Sequence, residues 1–490
     1  MAKRKLAETG GMHPDNPYFN SPPDFIALAE LYPSLSPFVT RKKNPGAETR
    51  GVINFHDPLA LRELTYCLLR RDFSIDLDIP IDSLCPPIPN RLNYICWIED
   101  LLDNDSTKEI HGIDIGTGAS CIYPLLGCSR NKLWKMVATD IDDRSILFAD
   151  SNVKRNHLDN AINIIKNNST DIFPEFLFID PEKRYDFCMC NPPFYKDDQD
   201  IQDSLEAKDD LPSAVCKGTT NEMITAGGET QFVTQMVEES ILHAQRIRWY
   251  TSMLGKRGSV DTIIAYLKEK KITNYTLTTF RQGRTSRWAI AWSHGNAHPS
   301  RASRQHISNR LVKLTPPKTI LSFQCEGYTL DTIVHDTEAI FDQLLIEHRT
   351  GTLGAEIEPG TTRILHCTAE RNTWSRAARR VLARESASED GGKSGTKTLK
   401  ELSMSLLAPV VLEFDVRIPF AMQSTDVESQ SSSISKSTST PSQPSHTLEF
   451  TWTVGEDRHL FESCFLHFRS RFQQDHATRM QEQPNTSQAP

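Results

Sequence analysis

Apolar residues are dense over residues 21–293, where helical and strand-like spacings alternate along the chain. The clearest runs are Leu59–Leu69, Tyr94–Leu102, Gly112–Ile115, Met136–Ala138 and Tyr185–Met189. Helices that alternate with short buried strands are typical of a parallel sheet with crossover helices. The sequence therefore predicts an α/β domain over 21–293.

The last third of the chain contains isolated apolar runs separated by polar segments. The strand-like runs are Thr319–Phe323, Val410–Phe414 and Leu448–Val454, and the helix-like runs are Leu330–Leu345 and Arg458–Phe472. These runs predict a small α+β domain over 317–472, preceded by an Arg-, Ser- and His-rich linker at 294–316.

Several segments are too polar to fold on their own. Between Ser424 and Ser445, 10 of 22 residues are Ser and 3 are Thr, a composition that cannot bury enough apolar surface to offset chain entropy. We predict disorder in four segments: 1–20, about 385–400, about 423–446 and 473–490.

Composition narrows the possible partners. The chain carries 55 Lys and Arg against 63 Asp and Glu, a net charge of −8, so any nucleic-acid site must be a local patch. No apolar run is long enough for a membrane span, and the first residues have no apolar core typical of a signal peptide. The 11 cysteines form no CxxC pair, which favours reduced buried thiols and no metal site. We expect an intracellular protein.

A glycine-rich turn follows the first strand-like run of this region. Gly112–Ser120 reads GIDIGTGAS, and its glycines allow close backbone approach to a ligand. The third glycine of a dinucleotide fingerprint is missing. A tight GxG preceded by an acid therefore fits S-adenosylmethionine better than a pyrophosphate, although a structural turn explains this motif as well.

A second strand-like run ends in acids 24 residues after Gly116, the length of one βαβ crossover. A carboxylate at a strand end can accept both ribose hydroxyls of a nucleoside cofactor. Asp140 is the first acid after the run and is our choice over Asp142. A solvated strand-end acid is the alternative interpretation.

The third motif is Asn191-Pro192-Pro193-Phe194, directly after the run Tyr185–Cys190. The prolines make the backbone rigid. The Asn191 side-chain carbonyl and the Pro192 main-chain carbonyl can then accept both hydrogens of an exocyclic NH₂. Phe194 offers a face for a base to stack on. This motif predicts methyl transfer to an amino nitrogen without a strong general base.

Asn168-Ser169-Thr170-Asp171 lies between these two motifs. Asp171 stands where such folds read the cofactor adenine, and a plain turn is the other interpretation.

Basic residues interleave with aromatic ones between 246 and 287. Trp249, Tyr250, Phe280 and Trp288 accompany ten Lys and Arg but only two acids, a pattern that suits looped RNA as well as an ordinary charged surface. The predicted RNA contacts are Arg246, Arg248, Lys256, Arg257, Arg281, Arg284 and Arg287. A second set predicted on one helix comprises Arg371, Arg376, Arg379, Arg380 and Arg384. These arginines can contact phosphates, so we predict that the domain over 317–472 binds RNA, with a protein-partner module or a spacer as the alternative interpretations.

Four ordered motifs between residues 22 and 292 resemble one family. They are RLNYI (Arg91–Ile95), GIDIGTGASCIYPLLG (Gly112–Gly127), YDFCMCNPPF (Tyr185–Phe194) and QGRTSRWAIAW (Gln282–Trp292). The chain resembles the U6 small nuclear RNA adenosine-N6 methyltransferases, the methyltransferase-like protein sixteen family, related to a bacterial 23S rRNA adenine-N6 methyltransferase.

This resemblance implies a Rossmann-like class I fold, S-adenosylmethionine as methyl donor, a structured RNA such as a U6 hairpin as substrate, and a nuclear location. The cofactor contacts implied by matching positions are Arg91, Gly116, Ser120, Asp140, Asp171 and Asn191. Two positions depart from the family. Glu is frequent where Asp140 stands, and Lys196–Asp210, where animal members have a basic loop, carries seven acids and two Lys.

Other functions share these motifs. An Asn-Pro-Pro-aromatic segment also serves DNA amino-methyltransferases, protein-glutamine methyltransferases and rRNA methyltransferases. The basic, aromatic stretch argues against a glutamine substrate, and the family resemblance argues against DNA. A non-catalytic RNA-binding or spliceosome-associated protein using the same fold is the alternative of a different class.

Overall fold

The computed structural model describes residues 11–43, 49–102, 107–206, 218–282, 285–304, 309–316, 319–351, 363–376, 378, 380, 409–418 and 445–482. They fall into two compact units, one within Met1–Gly295 and Pro299–Pro316, the other within Asn296–His298 and Pro317–Pro490. No helix in these ranges is long and apolar enough to cross a membrane.

The first unit is built on a seven-stranded sheet and a separate hairpin. The hairpin pairs β1 (Val39–Lys42) with β2 (Arg50–Ile53). The sheet strands are β3 (Ile110–Ile115), β4 (Trp134–Asp140), β5 (Ile162–Lys166), β6 (Tyr185–Cys190), β7 (Ile247–Leu254), β8 (Tyr275–Gln282) and β9 (Thr285–Trp292).

Helices connect and cover these strands. They are α1 (Phe25–Leu31), α2 (Pro58–Phe73), α3 (Ile88–Leu101), α4 (Ile122–Arg130), α5 (Asp143–Arg155), α6 (Asp198–Glu206), α7 (Thr220–Met223), α8 (Gly228–His243), α9 (Arg257–Glu269) and α10 (Asn309–Val312). Short 3₁₀ turns lie at Pro33–Phe38, Glu175–Phe178, Ala244–Arg246 and Ala302–Arg304. Side-chain caps explain several helix starts, since Asp57 accepts the amide hydrogens of Leu59 and Ala60.

The strand order is β5-β4-β3-β6-β7-β9-β8. The first five strands pair in parallel, whereas β9 is antiparallel to both β7 and β8. Parallel pairing brings the carboxyl ends of β3, β4, β6 and β7 to one edge of the sheet, which we call the carboxyl edge. Strands such as β6 are almost fully buried, as expected for a sheet covered on both faces. The predicted α/β architecture is confirmed.

The N-terminal prediction is wrong from residue 11 onward. His13 contacts the Asp100 carboxylate at 3.0 Å, Asn16 donates to the Asn93 side chain, and Tyr18 is buried. These polar groups satisfy each other inside the first unit, so the segment packs although its sequence has little apolar periodicity. Residues 1–10 lie outside the described ranges.

The predicted linker at 294–316 is also corrected. The Trp97 indole donates to the Ser303 carbonyl at 2.9 Å, and the Ser300 hydroxyl donates to the Asp100 carbonyl at 2.6 Å. Residues 299–304 and 309–316 therefore belong to the first unit. The first of these segments is held by polar contacts that hydrophobic periodicity cannot detect, and the second by Leu311, which is buried in the core.

The second unit contains an antiparallel sheet in the order β10-β14-β13-β12-β11. Its strands are β10 (Ile320–Glu326), β11 (Glu347–Gly351), β12 (Arg363–Arg371), β13 (Pro409–Ile418) and β14 (Ser445–Val454), and its long helices are α11 (Leu330–Gln343) and α12 (Arg458–Glu482). Inward-facing aromatic side chains of the strands, including Phe414 and Phe450, form one core with those of the helices. The predicted α+β class is confirmed here too.

Three details of the second unit differ from the sequence prediction. Helix α12 continues to Glu482, so residues 473–482 are helical, and β14 begins at Ser445 within the segment expected to be disordered. Arg371 ends strand β12 and is not on the predicted arginine helix. Arg376 and Arg380 are exposed there. Arg379, Arg384, 385–400 and 423–444 fall outside the described residues.

Candidate cofactor and target-base site

The glycine-rich turn and Asp140, the last residue of β4, form one structure at the carboxyl edge. Gly116 and Gly118 have φ angles of +70° and +64°, and a Cβ atom on Gly116 would meet no heavy atom within 4 Å. The Asp140 carboxylate accepts the Gly118 amide hydrogen at 2.8 Å and the Asp142 amide hydrogen at 2.9 Å. The turn therefore leaves open space above Gly116, bordered by Asp140.

The two neighbouring acids have different structural tasks. Asp142 is the N-cap of α5 and accepts the Ser145 amide hydrogen at 2.8 Å. Burial raises the pKa of the Asp140 carboxyl, and the amide hydrogen bonds from Asp142 and Gly118 oppose that rise. Because Asp142 caps a helix, Asp140 is the acid available to a ligand at the turn.

Buried polar atoms without hydrogen-bond partners gather at this edge. Within the described residues these atoms are Arg91 Nε, Asp114 Oδ1 and Oδ2, Thr117 Oγ1 and Asn191 Oδ1. Strands β3 and β6 pair Ile115 with Cys190, so Gly116 and Asn191 leave the sheet side by side. Buried polar groups are normally satisfied. The set therefore marks a ligand site with one cation, one acid and neutral acceptors. A nucleoside that carries an amino acid requires these groups, because it has a carboxylate, an ammonium group and N–H donors.

Asp114 was not among the site residues predicted from sequence. It is buried in β3, and burial raises the pKa of Asp114 to about 7. The Asp140 charge adds to this rise, whereas the Thr117 hydroxyl and the Arg91 charge oppose it. An acid just before the GxG turn was the available signal, but one residue in a strand does not reveal that it is buried and unpaired.

The Asn-Pro-Pro-Phe segment follows β6 at the same edge. Gly255, directly after β7, lies against the Phe194 ring, since a Cβ atom there would be 2.9 Å from Phe194 Cδ1. The Arg287 guanidinium lies over the same ring, 5.2 Å from its centroid. The segment continues into a parallel bridge between Tyr195 and Ile224. The aromatic ring is thus held between strand ends, beside the unpartnered Asn191 Oδ1.

The remaining predicted cofactor contacts lie nearby along the chain. Ser120 is buried in the glycine turn. Asp171 is exposed after β5 and accepts the Ser169 hydroxyl hydrogen at 3.0 Å. The Asn167 amide donates to the Asp140 carbonyl at 2.8 Å, which ties the segment before Asp171 to the end of β4.

The basic stretch does not form the single patch that its sequence suggests. Arg246 and Arg248 lie at the amino end of β7, whereas Lys256 and Arg257 follow its carboxyl end. Eight residues of strand separate these ends by about 25 Å. Arg246 donates to the carbonyls of Lys183 and Asp180. Arg246 and Arg248 therefore do not lie at the carboxyl edge, contrary to the sequence prediction. The direction of the strand, and not proximity in sequence, decides which cations reach that edge.

Four of the predicted cations remain near the carboxyl edge. Arg281 is exposed near the end of β8, and Arg287 near the start of β9 lies over Phe194. Arg257 pairs with Asp261 at 2.8 Å. Arg284 lies outside the described residues.

Lys256 is held by the acidic segment that follows Phe194. Its Nζ atom is 2.6 Å from each carboxylate oxygen of Asp200 on α6. The same ammonium lies over the Tyr195 ring, 5.2 Å from its centroid. An acidic helix is therefore anchored beside the Asn-Pro-Pro-Phe segment by one of the predicted RNA contacts.

The strand order, the antiparallel final strand and the site at the carboxyl edge define a Rossmann-like class I methyltransferase domain. Residues 6–296 match a family model described as RNA methyltransferase. The chain belongs to this RNA methyltransferase family, which confirms the resemblance found in its motifs.

Curated relatives extend the match. RNA N(6)-adenosine-methyltransferase METTL16 of Mus musculus is 42% identical over 293 residues, 59% of this chain and 52% of its own length. The Danio rerio protein of that name is 36% identical over 396 residues, 77% of this chain and 81% of its own. The U6 small nuclear RNA (adenine-(43)-N(6))-methyltransferase of Schizosaccharomyces pombe is 37% identical over 340 residues, 68% of this chain and 83% of its own.

A solved structure agrees with the fold. The human Mettl16 catalytic domain in complex with MAT2A 3′UTR hairpin 1 is 40% identical, with a TM-score of 0.54, covering 59% of this chain and 98% of that one. The chain spans about half the length of the mouse, Xenopus and human METTL16 relatives it matches.

Proposed function

We propose that this chain is an S-adenosylmethionine-dependent RNA adenosine-N6 methyltransferase acting on a structured RNA such as a U6 small nuclear RNA hairpin. The observation that carries this proposal is the buried, unpartnered Asn191 Oδ1 beside the open glycine turn. A side-chain acceptor in that place needs an N–H donor from a bound molecule, and an adenine amino group supplies one.

The unpartnered side chains and the acids next to them divide into contacts for the different parts of the cofactor. Arg91 takes the methionine carboxylate, and Asp114 the methionine ammonium group. Asp140 accepts the ribose hydroxyls at the end of β4, and Asp171 accepts the adenine amino group. Gly116 and Ser120 line the turn. When bound, S-adenosylmethionine supplies an electrophilic methyl group on a sulfonium.

The protein's part in methyl transfer is to orient the amine and stabilise its reactive geometry. Asn191 Oδ1 and the Pro192 carbonyl accept the two N–H groups, which directs the nitrogen lone pair away from the ring plane. Phe194 packs on the base. Proline at 192 and 193 fixes the backbone so that little reorganisation is needed. The methylated nitrogen is acidic enough to lose its proton without a strong base.

RNA is favoured over other amine substrates by the charges at the carboxyl edge. Lys256, Arg281 and Arg287 lie around the Asn-Pro-Pro-Phe segment, where they can meet phosphates next to a splayed adenosine. The names of the relatives point to the same substrate class, since they are called RNA N(6)-adenosine- and U6 small nuclear RNA methyltransferases.

The second unit is proposed to clamp RNA. Its sheet aromatics face inward, and the opposite face carries residues such as Glu413 and Asp415. The proposed phosphate contacts are the exposed Arg376 and Arg380, which lie close in sequence to Trp374, whose side chain donates to Ser463 on α12. A nuclear location and contacts with spliceosomal proteins follow from a U6 substrate and are part of this proposal.

The test combines cofactor binding with product analysis. Isothermal titration of the full chain with S-adenosylmethionine should show one site, and incubation with a U6-like hairpin should yield N6-methyladenosine by mass spectrometry of the digested RNA. RNA binding without cofactor binding would favour the non-catalytic, spliceosome-associated alternative. Cofactor binding with methylation of an rRNA fragment only would change the substrate.

A further inference from the structure

Arg91 is a buried cation without an anionic partner in the structure. Its side chain is almost fully enclosed at the carboxyl end of the sheet, with a residue exposure of 8%. No carboxylate of the described residues lies within ion-pair distance of it, and its Nε has no hydrogen-bond acceptor. The Asp114 charge acts on Arg91 without forming an ion pair. A buried guanidinium without a direct ionic partner is costly, so another contact must hold it in place until a ligand arrives.

That contact is the phenol of Tyr123 on α4. Arg91 NH1 donates to the Tyr123 hydroxyl at 2.8 Å, and the guanidinium lies 5.3 Å from the ring centroid. An arginine can only donate hydrogen bonds, so the phenol oxygen must be the acceptor. The Tyr123 proton then points elsewhere, and it is donated to Met253 Sδ at 3.2 Å.

The phenol holds the guanidinium without neutralising it. Burial raises the pKa of Tyr123 to about 12 even though the neighbouring Arg91 charge opposes the rise. The side chain is therefore uncharged at neutral pH. A carboxylate in the same place would form a bidentate pair and consume the donors that a ligand needs. A neutral acceptor fixes one nitrogen and leaves the positive charge for an incoming anion.

We infer that Tyr123, oriented by Met253, is a positioning residue that presents Arg91 to the carboxylate of the cofactor's methionine end. This inference rests on the proposed cofactor site. It assigns to Tyr123 a selective effect: the phenol oxygen should matter for ligands that carry a carboxylate and not for ligands that lack one.

The experiment compares two ligands that differ in that one group. Full-length protein and its Tyr123→Phe variant are titrated calorimetrically with S-adenosylmethionine and with decarboxylated S-adenosylmethionine. Loss of one hydrogen bond to a charged group should weaken S-adenosylmethionine binding about 10-fold. Binding of the decarboxylated ligand should change less than about 2-fold, because Arg91 has no anion to meet there.

Two further variants make the comparison decisive. Tyr94→Phe removes the hydroxyl of a ring that packs edge-on against Tyr123. That hydroxyl contacts Thr251 and accepts the Cys190 amide hydrogen but does not contact Arg91, so its loss should not alter the ratio of the two affinities. Met253→Leu removes the acceptor of the Tyr123 proton. Like Tyr123→Phe, it should weaken binding of S-adenosylmethionine more than binding of the decarboxylated ligand, but by a smaller factor. It serves as the test if Tyr123→Phe does not fold.

The outcomes separate this inference from the proposed function. Equal losses for both ligands in Tyr123→Phe, or no loss for either, would overturn the positioning role. Arg91→Ala is the reference variant. If it weakens only the carboxylate ligand while Tyr123→Phe has no effect, the cofactor site stands and the inference fails. If wild-type protein binds neither ligand, the proposed function fails first.

Discussion

Asn191 is the residue of the carboxyl edge on which the proposed chemistry depends most directly. Its side-chain oxygen is buried without a partner, so the native state bears a desolvation cost that only a donor from a ligand can offset. Native proteins retain such costs at functional sites more often than elsewhere.

Replacing Asn191 by Ala should abolish methyl transfer while the fold persists. Removal of a positioned acceptor typically lowers the rate by about 10² or more. Turnover is measured on a U6-like hairpin, and calorimetry checks that S-adenosylmethionine still binds at least in part. Asn160→Ala, in an exposed turn, is the matched control and should keep wild-type turnover. Near-normal turnover of Asn191→Ala would refute the assignment of this segment as catalytic.

Replacements of Asp140, at the end of β4, and of Asp142, at the start of α5, should have different effects. Asp140→Asn should weaken S-adenosylmethionine binding about 10- to 100-fold through loss of charge-assisted hydrogen bonds, and should leave RNA affinity nearly unchanged. Asp142→Asn should mainly perturb the start of α5, by about 1 kcal/mol or less in unfolding free energy. Titration and denaturant unfolding of both variants are the measurements. A larger cofactor defect in Asp142→Asn would show that the wrong acid was chosen.

Asp114 should make the ligand-free protein lose stability as pH rises. Its folded pKa of about 7 lies above the ordinary value of 3.8. Between these values the folded state holds a proton that the unfolded state has released, so the stabilisation is complete below the lower value and is lost as pH rises through about 7.

Asp114→Asn removes this dependence. The slope of unfolding free energy against pH should differ between wild type and variant by up to about 1.4 kcal/mol per pH unit between pH 5 and 7. The variant should therefore gain stability relative to wild type as pH rises. Denaturant unfolding at pH 5, 6, 7 and 8 gives the two slopes, and parallel curves would contradict a raised pKa.

At the scale of elements, helix α6 is an acidic helix beside the edge where we propose that RNA binds. It begins with acids and follows the Asn-Pro-Pro-Phe segment directly, yet it is anchored by Asp200 to Lys256. The pair places negative charge beside the edge where we propose that RNA binds. RNA phosphates and Asp200 therefore compete for the same lysine.

Asp200→Asn should release Lys256 and strengthen RNA binding. An ion pair that is partly open to solvent, as this one is, contributes about 1 kcal/mol or less, which corresponds to an affinity gain of roughly 2- to 5-fold at low salt. Asp203→Asn on the same helix is the matched control, since Asp203 contacts Gln199 instead and the change in net charge is identical. Fluorescence anisotropy with a labelled hairpin measures both. Equal gains would show that only general repulsion is involved.

At the scale of the whole molecule, nearly all of the second unit lies outside residues 6–296, the range that matches the RNA methyltransferase family model. If this unit clamps RNA, the double variant Arg376→Ala/Arg380→Ala should lower affinity and flatten its salt dependence. The log–log slope should fall by about 0.7–0.9 per lost phosphate contact. The measurement is hairpin affinity between low and moderate salt.

The matched control for that variant is on the open face of the second sheet. Arg349→Ala/Arg417→Ala removes the same charge from β11 and β13, where Glu413 and Asp415 are neighbours, and should change affinity much less. If both double variants equal wild type in affinity and slope, the second unit does not touch RNA, and a protein-partner role replaces the clamp.

Some features of this protein followed from the sequence alone. Apolar periodicity located β3, β4 and β6. The glycine, acid and Asn-Pro-Pro-Phe motifs at the ends of these strands were recognisable in the sequence because they depend on local backbone geometry. Strands such as β10 and β14 were also found from the sequence. Alternate residues of these strands are buried, so apolar and polar residues alternate along them.

Tertiary structure decided what depends on distant contacts. Polar pairs such as His13 with Asp100 order segments that lack an apolar pattern, and the direction of β7 divides a basic stretch that is continuous in sequence. Burial is a property of the packed protein, and it raises the pKa of the Asp114 carboxyl to about 7. Packing also places the Tyr123 hydroxyl where it accepts a hydrogen bond from Arg91. Local residue type determines which chemical groups reach the strand ends. Only packing determines which of them remain without a partner and so are free to meet a ligand.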